Sequence, residues 1–125
     1  MWRVGAMALD FTTTKVDGVN VILLRGAILF GEEPKSLRLL VKDLLTRSPK
    51  IVLDLGEVTR IDSGGVGILV NLHASARKAG YVIKLANLDN HAKEVLQITR
   101  LAKVFDIFEQ TEEAIASFKV AAAKY

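Results

Sequence analysis

The sequence has no cysteine, and only two of its 125 residues are histidine. Without thiols the chain can form no disulfide, thiolate metal site or cysteine nucleophile, which is consistent with a reducing compartment. The two histidines, His73 and His91, fall in separate predicted helices and lack the spacing of a metal-binding pair. We interpret both as surface or flanking residues. The sequence therefore predicts neither a metal site nor a cofactor.

Long apolar runs and blocks of like charge are also missing. The first nine residues contain no segment long enough for a signal peptide or a membrane span, so we predict a cytoplasmic protein without membrane insertion. The net charge is +3, and the basic residues are spread along the chain, which gives little support to a nucleic-acid partner. Residues 1–7 are predicted to be an N-terminal arm, with either Met1 or Met7 as the start.

What the chain does contain is the pattern of one small α/β domain. Half of its residues are hydrophobic and a quarter are charged, as in ordinary globular proteins. Strand patterns alternate with helix patterns, which predicts a mixed sheet of four to five strands, largely parallel and opened by an N-terminal antiparallel hairpin, with about four helices. We place this domain at residues 8–120 and a C-terminal tail at 121–125.

The individual elements follow from local signals. A threonine-rich strand over 10–16 turns at Asp17-Gly18 into a second strand. The first helix ends before Ser48-Pro49, and Thr111 is predicted to cap the last one. Asp89 or Asn90 can cap the third helix. The first helix is predicted to bury one stripe of side chains: Leu37, Leu40, Val41, Leu44 and Leu45.

One stretch, residues 51–70, is the predicted centre of function. An apolar run beginning at Ile51 has the pattern of a strand that is covered on both faces. Asp62-Ser63-Gly64-Gly65 then forms a sharp turn into a helix, and we expect Ser63 to be its N-cap. With glycine at 64 and 65, the first N–H groups of that helix are expected to remain open.

This stretch resembles the signature of STAS domains, in particular the bacterial anti-sigma-factor antagonists. The resemblance rests on Asp54-Leu55, Val58 and the run Ile61-Asp62-Ser63-x-Gly65-x-Gly67, and it continues through residues 80–87, 95–105 and 111–114. It implies a STAS fold and a binding switch rather than an enzyme. The implied partner is an anti-sigma factor of the serine-kinase ATPase type, whose capture releases a sigma factor for transcription.

The resemblance also implies a difference in regulation. Family members that are switched by an anti-sigma kinase typically carry Asp-Ser-Ser-Gly or Asp-Ser-Thr-Gly, with the second hydroxyl phosphorylated. Here that position is Gly64, which leaves Ser63 as the candidate phosphoacceptor. Three outcomes stay open: Ser63 is used instead, the domain is a constitutive antagonist, or it has another STAS role. A further family position near the loop, often acidic or hydroxyl, is Leu29 here, so no role carries over to it.

The predicted partner surface combines the loop with one flank of the following helix. If the valines of this flank are exposed, they suit docking, and the alternative is that they pack beneath a neighbouring helix. On the first interpretation, Gly65→Arg or Val66→Asp abolishes partner capture and leaves the fold intact. The surface residues are Asp62, Ser63, Gly64, Gly65, Val66, Val70, His73 and Arg77.

Two other functions compete with this prediction, and homo-oligomerisation is left open. The first is a STAS subunit of a lipid-transport or stress-sensing complex. The second is a small nucleotide-binding protein that uses Asp54 and Asp62, although the chain has no phosphate loop and no nucleophile elbow. The structural interpretation of the two carboxylates is that Asp54 ends its strand in a turn and that Asp62 fixes the loop by accepting backbone hydrogen bonds.

Overall fold

A computed structural model of the chain describes residues 9–29 and 35–123, with the backbone alone for 120–123. It confirms the predicted α/β STAS architecture, with five strands and four helices in these ranges. The elements are β1 Asp10–Val16, β2 Val19–Ile28, α1 Lys35–Arg47, β3 Ile51–Ile61, α2 Ser63–Lys78, β4 Ile83–Ala86, α3 Asn90–Ile98, β5 Asp106–Phe108 and α4 Thr111–Ala123.

The sheet has the order β1-β2-β3-β4-β5, in which β1 pairs with β2 antiparallel and every later pair is parallel. The hairpin turn has Asp17 at φ 52° and Gly18 at φ 79°. Two consecutive positive φ angles are the signature of a type I′ turn, whose twist matches that of the flanking strands. The predicted Asp-Gly hairpin is therefore confirmed.

The third strand is longer than its apolar run suggests. β3 continues through Asp54 to Ile61, and its register with β2 shifts between Leu23 and Arg25 and again between Gly26 and Ala27. The prediction that Asp54 ends the strand in a turn is wrong. Its Oδ1 does accept the Gly56 N–H at 2.8 Å, but this bond lies within β3, beside the register shift with β2, and the strand does not end there.

The helices cover the two faces of the sheet unequally. The first three pack on the larger core, and the buried stripe of α1 is confirmed except that Leu40 is only half-buried. The last helix, α4, covers the other face with Ala114 and Ile115. On that face Lys84 is buried, donates to Ser117 Oγ at 2.6 Å and lies 4.1 Å from the ring centroid of Phe118. Burial lowers the pKa of Lys84.

The ends of the predicted domain stay predictions. Residues 1–7 lie outside the described ranges, as does the loop around Pro34, and α4 continues to Ala123, inside the tail predicted at 121–125. Within residues 9–29 and 35–123, no helix combines the length and the apolarity needed to cross a membrane.

Candidate functional site

The loop between β3 and α2 is held by a capping bond from Asp62. Its Oδ1 accepts the Gly65 N–H at 2.7 Å, and its carbonyl accepts the Val66 N–H at 2.9 Å. Asp62 has extended backbone angles, φ −115° and ψ 178°, as an N-cap residue requires. The expectation that Ser63 caps this helix is therefore wrong, as is the expectation that the Gly65 N–H is open. Asp62 does accept a backbone hydrogen bond, as its structural interpretation predicts.

Ser63 is instead the first residue of α2, and its side chain is exposed. Because Asp62 supplies the cap, the Ser63 hydroxyl is not needed to start the helix. Gly64 follows on the same turn and is half-buried. With Asp62, which is also exposed, these two residues form the accessible part of the turn.

Gly65 and Val66 point the other way, into the core. A Cβ on Gly65 would lie 1.8 Å from the Ile28 carbonyl oxygen, and Val66 is 0% exposed. The Asp62 N–H also donates to the Ile28 carbonyl, at 3.3 Å, so the end of β2 supports the loop from beneath. The prediction that Gly65→Arg or Val66→Asp leaves the fold intact is wrong, because both changes act on the core.

The rest of the predicted flank is mostly covered. Val70 is half-buried and packs against the main core, and Arg77 alone of the four flank residues is exposed. The His73 ring meets the Phe105 ring edge-to-face at 5.2 Å, and its buried Nδ1 has no hydrogen-bond partner among residues 9–29 and 35–123. The expectation that the flanking valines are exposed for docking is thus wrong for Val66, which is fully buried, and Val70 is half-buried.

The environment of His73 makes folding stability depend on pH. Burial lowers the pKa of His73 below its ordinary 6.5, Arg77 lowers it further, and Asp106 opposes both. The unfolded chain therefore takes up the proton more readily than the folded one. The contribution of neutral His73 is complete above pH 6.5 and is lost as the pH falls below that value.

We predict that His73→Phe, which keeps a ring against Phe105, loses this acid dependence. Urea unfolding midpoints of the two proteins, measured from about pH 8 to about pH 5, should diverge below neutrality, with the wild type falling faster. Parallel curves for wild type and His73→Phe would contradict the assignment.

A second element that borders the loop is the start of α3. His91 Nε2 lies 3.2 Å from the carbonyl oxygen of Ile61, the last residue of β3, and Asp89 caps α3 by accepting the Ala92 N–H at 2.8 Å. Sequence reasoning missed this role of His91. The signal was available in the topology, because the loops that follow adjacent parallel strands meet at one edge of the sheet.

Asp54 joins three elements in a polar cluster behind the loop. Its Oδ1 accepts from Asn87 Nδ2 at 3.0 Å, and its Oδ2 accepts from the Thr111 hydroxyl at 3.1 Å. Thr111 Oγ1 also accepts from Asn87 Nδ2 at 2.8 Å. The prediction that the Thr111 side chain caps α4 is therefore wrong, because this hydroxyl points to β3 instead.

The described residues offer no metal-binding cluster. Asp54 and Asp62 each hold backbone or side-chain donors in place, and no group of three or more histidine, aspartate or glutamate side chains within residues 9–29 and 35–123 could hold a metal ion. The geometry that these two carboxylates show is that of structural hydrogen-bond acceptors.

Comparison with known proteins identifies the family of the chain. The family model described as STAS domain matches residues 10–114. A Bordetella bronchiseptica protein named, provisionally, as the anti-sigma factor antagonist BtrV is 26% identical over 113 residues, covering 90% of this chain and 97% of that protein.

Solved structures show the same likeness. A provisionally named anti-sigma factor antagonist from Thermotoga maritima has a TM-score of 0.70 at 28% identity, covering 86% of this chain and 92% of its own. The Bacillus protein SpoIIAA in its phosphorylated form has a TM-score of 0.65 at 20% identity, covering 87% and 99%, and shares the fold. With the family model matching most of its length, the chain belongs to the STAS domain family.

Proposed function

We propose that this STAS domain is an anti-sigma factor antagonist. It binds an anti-sigma factor of the serine-kinase ATPase type and so releases a sigma factor for transcription, acting by binding and not by catalysis. The names of its relatives in Bordetella and Thermotoga support this function.

The observation that carries the proposal is the rigid, exposed start of α2. Asp62 caps the helix, Gly65 packs on the Ile28 carbonyl, and Val66 is fully buried, so the turn is fixed from beneath. Ser63 remains exposed on top of this support. A surface that is already ordered loses little conformational entropy when a partner binds.

The partner surface that the geometry supports differs from the flank expected from sequence. Gly64, Gly67 and Asn71 follow one another at helical spacing, Asn71 is exposed, and a Cβ at Gly67 would meet nothing within 4 Å. With the exposed residues Asp62 and Ser63 they form a surface that we call the α2 start surface. Small side chains here let the backbone of a partner approach closely.

Control of binding is the finer part of the proposal. Gly64 has no hydroxyl, so the phosphorylation typical of the family cannot occur at that position, and Ser63 is the candidate phosphoacceptor. A phosphate on Ser63 would add about −1.5 to −2 charges at the positive end of a helix whose first turn has no acidic residue. The helix dipole favours that charge and the neighbouring Asp62 carboxylate opposes it, whereas an acidic or apolar partner surface placed against it would lose affinity.

Ser63→Asp tests the α2 start surface without harming the fold. We expect the affinity for the anti-sigma factor to fall about tenfold or more, because the new charge must be desolvated at the interface. The thermal unfolding midpoint should change little, since the favourable helix dipole and the repulsion from the adjacent Asp62 carboxylate oppose each other. Isothermal titration with the purified anti-sigma factor measures the first effect, and circular dichroism measures the second.

Ser63→Asn is the matched neutral control and should bind within a few-fold of the wild type. An unchanged affinity for Ser63→Asp would contradict the surface assignment. Equal losses for the aspartate and asparagine variants would keep Ser63 in the interface but would contradict the charge explanation, since they would assign the effect to side-chain size.

A further inference from the structure

The end of the sheet opposite the α2 start surface is basic. Strands β2 to β5 are parallel and begin at this end, β1 finishes there, and each helix returns to it before the next strand starts. We call it the basic end. Six cationic side chains lie in these strand starts, helix ends and loops: Lys15, Lys50, Arg77, Lys78, Arg100 and Lys103.

These six cations have no acidic partner in residues 9–29 and 35–123. The acidic residues nearby are already engaged: Asp17 pairs with Lys119 at 3.5 Å, and Asp43 pairs with Arg47 at 2.8 Å. Asp106, at the start of β5, is exposed and acts electrostatically on His73 and Lys84. Other acidic residues follow the carboxyl ends of the strands, at the opposite end: Asp62, Asp89, Glu109, Glu112 and Glu113.

Contacts in the structure make the basic end continuous. The edge-to-face pair of His73 and Phe105 brings the second half of α2 beside the loop between α3 and β5. At the other side of the sheet, the Asn20 N–H donates to the Lys50 carbonyl at 2.8 Å, so the loop before β3 lies against the start of β2. These contacts and the strand order therefore place the cations at one end of the sheet.

Large apolar side chains protrude among these cations. Ile98 is 74% exposed, and Val104 and Tyr81 are 42% and 43% exposed. Beside Ile98, a cavity of about 420 Å³ is lined by Gln97, Arg100, Ala102 and Lys103. Apolar tips between cationic side chains suit a surface that is itself anionic outside and apolar beneath.

Helix capping explains only part of this pattern. Arg77 and Lys78 occupy the last turn of α2, where a cation is favoured by the helix dipole. Lys50 and Lys103 lie in loops, and Lys15 lies in a strand, so the dipole gives no reason for them. Nor does it give a reason for the exposed Ile98.

We propose that the basic end docks peripherally on an anionic lipid bilayer. Lysine contributes four of the six cations, and lysine is depleted at protein–protein interfaces, which favours a lipid surface over an acidic protein. Protruding aliphatic side chains favour it over a nucleic acid, which such side chains do not recognise by hydrogen bonding. Docking in this orientation leaves the α2 start surface facing away from the bilayer.

Vesicle sedimentation of the full chain tests the proposal. The probes are phosphatidylcholine vesicles with and without about 30 mol % phosphatidylserine, at low and high salt. We expect binding only to the anionic vesicles, and at least a tenfold loss in partition coefficient when the double variant Arg100→Gln/Lys103→Gln is used. Ile98→Ser, at unchanged charge, should lose several-fold.

The matched control is Lys35→Gln/Lys42→Gln, which makes the same change in net charge on exposed positions of α1. It should retain most of the binding, and circular dichroism should show native unfolding curves for all variants. Equal losses in both double variants, or binding without phosphatidylserine, would overturn the proposal. A different ligand would also overturn it. The protein would then bind a DNA duplex or a polyglutamate peptide through Arg100 and Lys103 and would not bind vesicles. Ser63→Asp changes the α2 start surface and leaves the basic end unchanged. A failure of anti-sigma factor binding can therefore be distinguished from a failure of lipid docking.

Discussion

Gly65→Ala is expected to prevent stable folding of this domain. A Cβ at that position would lie 1.8 Å from the Ile28 carbonyl oxygen and 2.5 Å from its carbon, and both atoms are backbone. No rotamer change relieves such a clash, so either β2 or the first turn of α2 must move. We expect a loss of about 4 kcal/mol or more in the free energy of unfolding, a large part of the 5–15 kcal/mol that is typical of a domain.

Gly67→Ala provides the matched control on the same helix. A Cβ there meets nothing within 4 Å, and alanine is favoured over glycine inside a helix by about 1 kcal/mol. Urea unfolding followed by circular dichroism should therefore show Gly67→Ala at or above the wild-type midpoint and Gly65→Ala far below it or unfolded. Similar midpoints for the two variants would contradict the packing of α2 on Ile28.

Asp54→Ala is expected to have the second largest effect on stability. The Asp54 carboxylate accepts from the Gly56 N–H, the Asn87 amide and the Thr111 hydroxyl, and these donors come from β3 itself, the loop after β4 and the start of α4. Hydrogen bonds to a charged group contribute about 1.5–3 kcal/mol each, and two of the donors left behind, on Asn87 and Thr111, are partly buried. Since Asn87 and Thr111 can still bond to each other, we expect a net loss of about 3 kcal/mol.

Two further variants bracket this prediction. Asp54→Asn keeps one carbonyl oxygen as an acceptor and should lose about half as much. Asp89→Ala removes an ordinary helix cap and should cost about 1 kcal/mol. Chemical unfolding of all three variants gives the order of their losses in the free energy of unfolding. If Asp54→Ala loses no more than Asp89→Ala, the cluster does not hold β3, β4 and α4 together.

The order of elements and the sheet topology were predictable because they follow from local patterns. Asp17-Gly18 specifies a hairpin turn by its backbone preferences, and the alternation of strands and helices implies parallel pairing. The apolar positions of α1 recur at helical spacing, which identified four of its buried residues. Each of these signals can be read along the sequence without knowing which distant residues meet.

The errors at the site have a different origin. Asp62 and Ser63 are adjacent and both are good N-cap residues, so the local sequence does not decide between them. The position of the Ile28 carbonyl decides it, and that is a contact between distant parts of the chain. Val66 lies three residues before Leu69 and six before Leu72, which are also buried in α2, and this helical spacing is the signal that could have placed it in the core instead of on a surface flank.

The polar cluster around Asp54 could not be derived from sequence for a related reason. Asp54 is 33 residues from Asn87 and 57 residues from Thr111, and the contact depends on how β3, β4 and α4 meet at one edge of the sheet. Thr111 fits a helix cap locally, and only the folded chain shows its hydroxyl bonded to a carboxylate on another element. Tertiary contacts of this kind override a local preference.

The central claim is that the α2 start surface binds an anti-sigma factor. Its most direct test is quantitative affinity capture from a lysate of the source organism, with tagged wild-type protein and tagged Ser63→Asp as parallel baits and the bound proteins identified by mass. We predict that the wild type recovers an anti-sigma factor with an ATPase fold and that Ser63→Asp recovers little of it. Recovery of transporter or scaffold subunits in its place, or equal recovery of the anti-sigma factor by both baits, would contradict the claim.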